Sequence, residues 1–126
     1  MEGTKKVLVV DDNRTLRSWL NKTLSAAGYT VLTAGDGKEG LDVASRELPD
    51  IIVSDVDMPI MDGGEMVSKL KASSSTSHIP VVFLTGLIKK DEIVPVSSND
   101  VFYMSKMSKP AELLSVVKNM LIFCRK

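Results

Sequence analysis

Apolar residues follow two alternating rhythms along this chain. Unbroken runs such as Val7-Leu8-Val9-Val10, Ile51-Ile52-Val53 and Val81-Val82-Phe83-Leu84 are bounded by polar and turn residues. Such runs read as strands buried on both faces. Between them the apolar positions open out to intervals of three and four, the period of an amphipathic helix. The runs predict strands over 6–10, 29–33, 51–54, 81–84 and 101–104. The wider spacing predicts a helix over 13–27, with Leu16, Leu20 and Leu24 on one face and Gly28 as its stop. A second helix starts at Asp36 and runs to about Leu48, with Leu41, Ala44 and Leu48 inward. Asp36 and Glu39 have the spacing of a capping box, and Asp62 and Glu65 repeat it before a helix bearing Met66, Val67 and Leu70. Ser108 is placed to cap a last helix, with Pro110 tolerated in its first turn and Leu113, Val117 and Leu121 on one side.

Two segments are less regular. Residues 73–77 are all serine or threonine and read as a solvated connector. Residues 87–100 hold few apolar positions, and Pro95 interrupts them. A short helix before Val94 followed by irregular chain is the expectation there.

Five strands alternating with helices imply an α/β fold whose parallel sheet is covered on both sides. Right-handed crossovers make it doubly wound, and such sheets take ligands in the crevice beyond the strands' C-terminal ends. Asp11, Asp12, Asp55, Thr85 and Lys106 all fall at or just past those ends. The topology should therefore gather residues that are far apart in sequence.

At 126 residues the chain fits one domain with a core of its own. Sixteen basic residues balance sixteen acidic ones, which argues against nucleic acid as a main partner. Cys124 is the single cysteine, so no internal disulfide forms, and a reducing compartment fits. No apolar stretch approaches the ~18 residues of a membrane span, and no signal peptide is visible. A cytoplasmic protein without membrane contact is expected.

Burying unpaired carboxylates at strand ends works against stability. Charges ~4 Å apart repel by about 4 kcal/mol at an effective dielectric of 20. Three converging carboxylates therefore call for a divalent cation. Mg²⁺ takes about six oxygens in octahedral order. Asp12 and Asp55 are placed to supply carboxylate oxygens, Asp11 to act directly or through water, and Asp57 to lend its backbone carbonyl. Lys106 offsets part of the negative charge and suits an incoming anion. An aspartate can attack a phosphoryl group to give an acyl phosphate, and phosphoryl transfer asks mainly for positioning and charge neutralisation. Mg²⁺, Lys106 and the Thr85 hydroxyl, with the Gly86 amide beside it, would meet the phosphoryl oxygens on Asp55.

With these residues in view, the chain resembles the receiver domain of bacterial two-component response regulators. The resemblance is carried by Val9-Val10-Asp11-Asp12-Asn13, by the segment from Asp55 to Gly63 containing Asp57-Met58-Pro59, by Pro80 through Gly86, and by Tyr103-Met104-Ser105-Lys106. They follow one another in the family's order from Val9 to Lys106, and the resemblance implies that residues 1–126 form one such domain. The resemblance implies a flavodoxin-like (β/α)5 sheet in the order 2-1-3-4-5. It implies that Asp55 accepts the phosphoryl group, that Asp11 and Asp12 form the acidic pocket with Mg²⁺, and that Lys106 contacts the phosphoryl group. It makes Thr85 and Tyr103 the switch pair. The donor would be a histidine kinase or a histidine phosphotransfer protein, and the response would reach an output domain or downstream protein through the surface around helix 4, strand 5 and helix 5. Such a domain is no enzyme beyond catalysing its own phosphorylation and dephosphorylation.

Lys109-Pro110 imitates the family's Lys-Pro pair, but Lys106 has Tyr103 three residues before it and gives Leu113-Leu114 their usual offset. Lys106 is therefore the active lysine, and Met107 stands where the family has proline. Whether the Lys106–Met107 bond is cis, as the family's Lys-Pro bond commonly is, stays open. Residues 98–102 also depart from the family pattern. These departures keep a pseudo-receiver, a binding module working without phosphate, as the alternative. The Asp55-Val56-Asp57 string also resembles haloacid-dehalogenase-type phosphatases, though there it closes the first strand of a larger domain. His78 reads as a loop residue, the seven methionines as core filler and Trp19 as half-buried packing.

Overall fold

In the computed structural model, the described residues are 4–56, 58, 60–86, 93–96, 101–106 and 108–123, with backbone only for 93–96 and 123. The elements follow in the order β1 (Lys6–Val10), α1 (Arg14–Ala26), β2 (Thr30–Ala34), α2 (Gly37–Glu47), β3 (Ile51–Asp55), α3 (Gly63–Lys71), β4 (Val81–Thr85), β5 (Ile93–Val96), β6 (Val101–Ser105) and α4 (Pro110–Phe123). One six-stranded sheet runs β2-β1-β3-β4-β6-β5. Its first five members are parallel, in the flavodoxin-like order expected.

The sixth strand was not expected. β5 pairs antiparallel with β6, Ile93 opposite Met104 and Val96 opposite Val101. It replaces the irregular chain predicted after Val94, while the short helix predicted before it falls on residues outside those described. Ile93, Val94 and Val96 are β-branched, and residues of that type fit a pleated surface. Pro95 forbids a helix interior but is tolerated in a strand at the sheet edge, where β5 lies.

The buried runs divide by parity, as the two-residue strand period requires. Val7, Val9, Ile51, Val53, Val82, Leu84 and Met104 pack with Leu20 and Leu24 of α1 and with Leu113, Val117 and Leu121 of α4. Leu8, Val10, Ile52, Val81 and Phe83 pack with Val43 and Ala44 of α2 and with Met66 and Leu70 of α3. Each helix pair thus covers one face of the sheet.

Local chemistry sets the helix ends. Asn13 caps α1 by accepting the Leu16 amide at 3.0 Å. Gly28, at φ 101°, ends that helix: its amide reaches the Ser25 carbonyl and the Tyr29 amide reaches that of Leu24, the paired bonds of a Schellman motif. Asp36 and Asp62 each accept the amide three residues on at 2.8 Å. Glu39 reaches back to the Gly35 amide at 2.7 Å, one residue earlier than a capping box requires. Leu48 was expected inward. It is instead 48% exposed, because it is the C-cap of α2 at φ 50°, and Pro49 disfavours a helical conformation there. Ser108 was expected to cap the last helix. That helix begins at Pro110, and Glu112 accepts the Lys109 amide at 2.6 Å. The serine-rich connector is less solvated than expected, since Thr76 is buried and its hydroxyl donates to the Leu70 carbonyl.

Candidate functional site

The parallel strands end together, and their last residues form the site. Asp11 follows β1 directly, Asp55 closes β3, Thr85 closes β4 and Lys106 follows β6. Carboxylate oxygens of Asp11, Asp12 and Asp55 lie within 4.8 Å of one another. The Lys106 ammonium stands 3.1 Å from Asp55 Oδ1. Asp11, Asp55 and Thr85 are buried, whereas Asp12 is exposed.

Asp11 is held at almost every polar atom. Its amide donates to the Ala34 carbonyl at 3.1 Å. Its carbonyl accepts from Arg17 Nη1 at 2.7 Å, and Oδ1 accepts the Asn13 amide at 2.8 Å. Oδ2 is buried with no protein partner. Burial pushes the Asp11 carboxyl above the usual carboxylate range, the Asn13 amide opposes this, Asp55 and Asp12 push it further up, and Lys106 draws it down. A buried carboxylate oxygen with no partner, beside two further carboxylates, is the donor set a hard divalent cation takes.

The raised Asp11 carboxyl implies a stability effect. A carboxyl whose folded pKa is raised weakens the fold as pH climbs past its unfolded value, and the full cost is present above the folded pKa. Asp11→Asn keeps the oxygen that accepts the Asn13 amide and removes the buried charge. Without metal it should unfold about 1 kcal/mol later than the parent chain at neutral pH. The gain should shrink toward acid pH and reverse in millimolar Mg²⁺, measured as paired thermal melts.

Asp55 Oδ1 accepts the Val56 amide at 2.8 Å as well as meeting Lys106. Behind it the Ser54 hydroxyl donates to the Asp55 carbonyl at 2.7 Å. The Thr85 carbonyl accepts the Lys106 amide at 2.9 Å, tying the ends of β4 and β6. Tyr103 lies opposite Phe83 in the register, two residues before Thr85 meets Ser105 and so in the same alternation. The Tyr103 and Phe83 rings pack tilted by 35°, with centroids 5.2 Å apart. Tyr103 and Thr85 therefore share one face of the sheet. Asp57, Met107 and hence the Lys106–Met107 bond lie outside the described residues. At Gly86 a Cβ would meet nothing within 4 Å.

Three supporting residues escaped the sequence reading. The Gly63 amide donates to the Val56 carbonyl at 2.8 Å, and the Gly37 amide to the Met61 carbonyl at 3.1 Å, pinning the segment after Asp55 at both ends. Gly63 carries a signal, as the glycine that ends the segment from Asp55 on which the resemblance rests and that opens a capped helix, but its contact with Val56 is not readable from that position. Arg17 carried only its position, one turn beyond Asn13.

No helix among the described residues is long and apolar enough to cross a membrane.

A model of the response regulator receiver domain matches residues 7–118. The chain is 40% identical over 119 residues to the response regulator PleD of Caulobacter vibrioides, covering 94% of this chain and 26% of that one. It is 36% identical over 118 residues to the alkaline phosphatase synthesis transcriptional regulatory protein PhoP of Bacillus subtilis, covering 93% of this chain and 48% of that one. The chain thus spans about half the length of such relatives or less. Among solved structures, it is similar to the chemotaxis response regulator CheY4 of Vibrio cholerae, with a TM-score of 0.79, 31% identity, and 93% and 98% of the two chains covered. It is likewise similar to the signal receiver domain of a signal transduction histidine kinase from Syntrophus aciditrophicus, with a TM-score of 0.81, 31% identity, and 94% and 91% covered.

Proposed function

We propose that this chain, which belongs to the response regulator receiver domain family, is a phosphoaccepting switch that takes a phosphoryl group onto Asp55. The observation that carries this reading is the Lys106 ammonium 3.1 Å from a buried Asp55 within a three-carboxylate cluster. One carboxylate would be the nucleophile, its neighbours would hold charge, and the lysine would receive an anion.

The donor would be a phosphohistidine on a histidine kinase or a histidine phosphotransfer protein. A carboxylate oxygen of Asp55 attacks phosphorus, the phosphorus–nitrogen bond breaks, and the imidazole leaves with a proton. Val56 and Lys106 keep Oδ1 directed, which leaves Oδ2 for attack. Lys106 and the Thr85 hydroxyl then neutralise developing charge on two phosphoryl oxygens. Asp11, Asp12 and Asp55, with the Asp57 carbonyl, would hold Mg²⁺, which when bound supplies charge to a phosphoryl oxygen. Attack by water on phosphorus later returns the carboxylate and inorganic phosphate. We take the whole chain as one such unit, working in the cytoplasm and passing its state to an output domain or downstream protein. Incubation with Mg²⁺ and acetyl phosphate, followed by intact-mass measurement, tests the reading: one added phosphoryl group supports it, and none removes it.

Switching would run through Thr85. Drawing its hydroxyl toward phosphate makes room on the sheet face it shares with Tyr103, a local event that biases a two-state element. Thr85→Ala should still accept phosphoryl at Asp55 yet lose most of the amide shift changes across β6 and α4 in NMR spectra. Parent-like shifts in that variant would argue against the coupling.

Strand β5, standing where the family pattern calls for a fourth helix, favours a second reading as a phosphate-independent binding module. That module would show no adduct and no response to Mg²⁺.

A further inference from the structure

Arg17 lies outside the acidic cluster and none of the chemistry above uses it. Yet its guanidinium reaches back across the first turn of α1 to the Asp11 carbonyl, with Nη1 at 2.7 Å. The group is partly buried. It packs over Gly35, where a Cβ would stand 3.4 Å from Nη1, and the same glycine's amide is held by Glu39 at 2.7 Å. The Asp11 carbonyl belongs to the peptide joining Asp11 to Asp12. That peptide sets the relative direction of two of the three carboxylates.

We infer that Arg17 is a positioning residue that clamps the Asp11–Asp12 peptide so that both carboxylates converge on one cation, a role that presupposes the cation site proposed above. Geometry and charge make opposite predictions here. By Coulomb's law alone, a guanidinium on the Asp11–Asp12 peptide opposes a bound cation, so removing it should tighten metal binding. As a clamp, its removal lets the peptide turn and the ligands spread. Mg²⁺ requires near-ideal octahedral geometry at short distances, whereas Ca²⁺ accepts irregular shells. Loss of positioning therefore penalises Mg²⁺ more than Ca²⁺. Lysine would keep the charge, but its ammonium lacks the planar fork and rigid reach of the guanidinium.

The test is calorimetric titration of the intact chain with MgCl₂ and with CaCl₂, for the parent, Arg17→Met and Arg17→Lys. Arg17→Met should weaken Mg²⁺ binding about tenfold, the scale of losses from outer-shell partners, and Ca²⁺ binding by less than about threefold. Arg17→Lys should fall between. The Asp12 amide shares its peptide with the clamped carbonyl, so its nitrogen resonance should move in both variants without metal. Unchanged or tighter Mg²⁺ binding in Arg17→Met would make Arg17 only a neighbouring charge and overturn the inference. Equal weakening of both metals, with a lowered melting temperature, would overturn it in favour of general loosening. If Arg17→Met does not fold, the Mg²⁺/Ca²⁺ ratio in Arg17→Lys decides. A parent chain that binds neither metal removes the cation site itself, a failure distinct from parent-like selectivity in the variants.

Discussion

Asp55→Asn should leave incubation with Mg²⁺ and acetyl phosphate at unchanged mass, while the parent chain gains one phosphoryl group. The expected loss is complete, because a neutral carboxamide is no nucleophile toward phosphorus at neutral pH. The variant should nonetheless fold. Its Oδ1 can still accept the Val56 amide, a 2.8 Å bond in the parent, and it stays at the end of a strand whose partners are unaltered. The ion pair to Lys106 is lost, but that side chain is 36% exposed. With the ammonium end open to solvent, losing the pair costs about 1 kcal/mol after screening. Replacing one of three crowded carboxylates also relieves repulsion on Asp11, where Asp55 is among the causes of the raised carboxyl. Melting within a few degrees of the parent, with no adduct, is therefore the expected pair of results. An adduct persisting in the variant would place the acceptor at another carboxylate and sink the assignment.

Gly37→Ala and Gly63→Ala should each destabilise the fold by about 3 kcal/mol, at the upper end of overpacking costs, and lower phosphoryl uptake as well. At Gly37 a Cβ would stand 2.1 Å from the Met61 carbonyl oxygen. At Gly63 it would stand 2.5 Å from Phe83 Cε1 and 2.9 Å from the Asp55 carbonyl oxygen. Backbone cannot rotate aside as a flexible side chain can, and the Phe83 ring is buried against Tyr103. The segment between Asp55 and α3 must shift instead, and the Asp55 carbonyl with it. Gly86→Ala is the matched control. It also lies beside the site, but its Cβ meets nothing within 4 Å, so its stability should stay within about 0.5 kcal/mol of the parent. Denaturant titration of the three variants measures this. Equal stability in all three would show that the segment yields where close packing says it cannot.

Most of the architecture was legible in residue order. Fully buried parallel strands must be continuous apolar runs, and Val7–Val10 and Ile51–Val53 are 0% exposed. Asp36, Asp62 and Gly28 mark helix ends through bonds to their own neighbours, so the signal is local. The exceptions were decided by competition between elements. Pro95 reads locally as a helix breaker, and its seat in an edge strand depends on β6 offering a free side. Leu48 reads as part of an apolar stripe, but the helix has already ended there.

The site divides in the same way. Sequence by itself determined which chemical groups stand at the strand ends, because strand periodicity and a parallel topology leave Asp11, Asp55, Thr85 and Lys106 nowhere else to go. Tertiary structure alone decided what holds them. The reach of Arg17 to the Asp11 carbonyl, the burial that leaves one Asp11 oxygen partnerless and the two glycines pressed against neighbouring segments all depend on how the packed elements meet. Such contacts arise from close packing in three dimensions, and a one-dimensional pattern records the residue types but not which atoms meet.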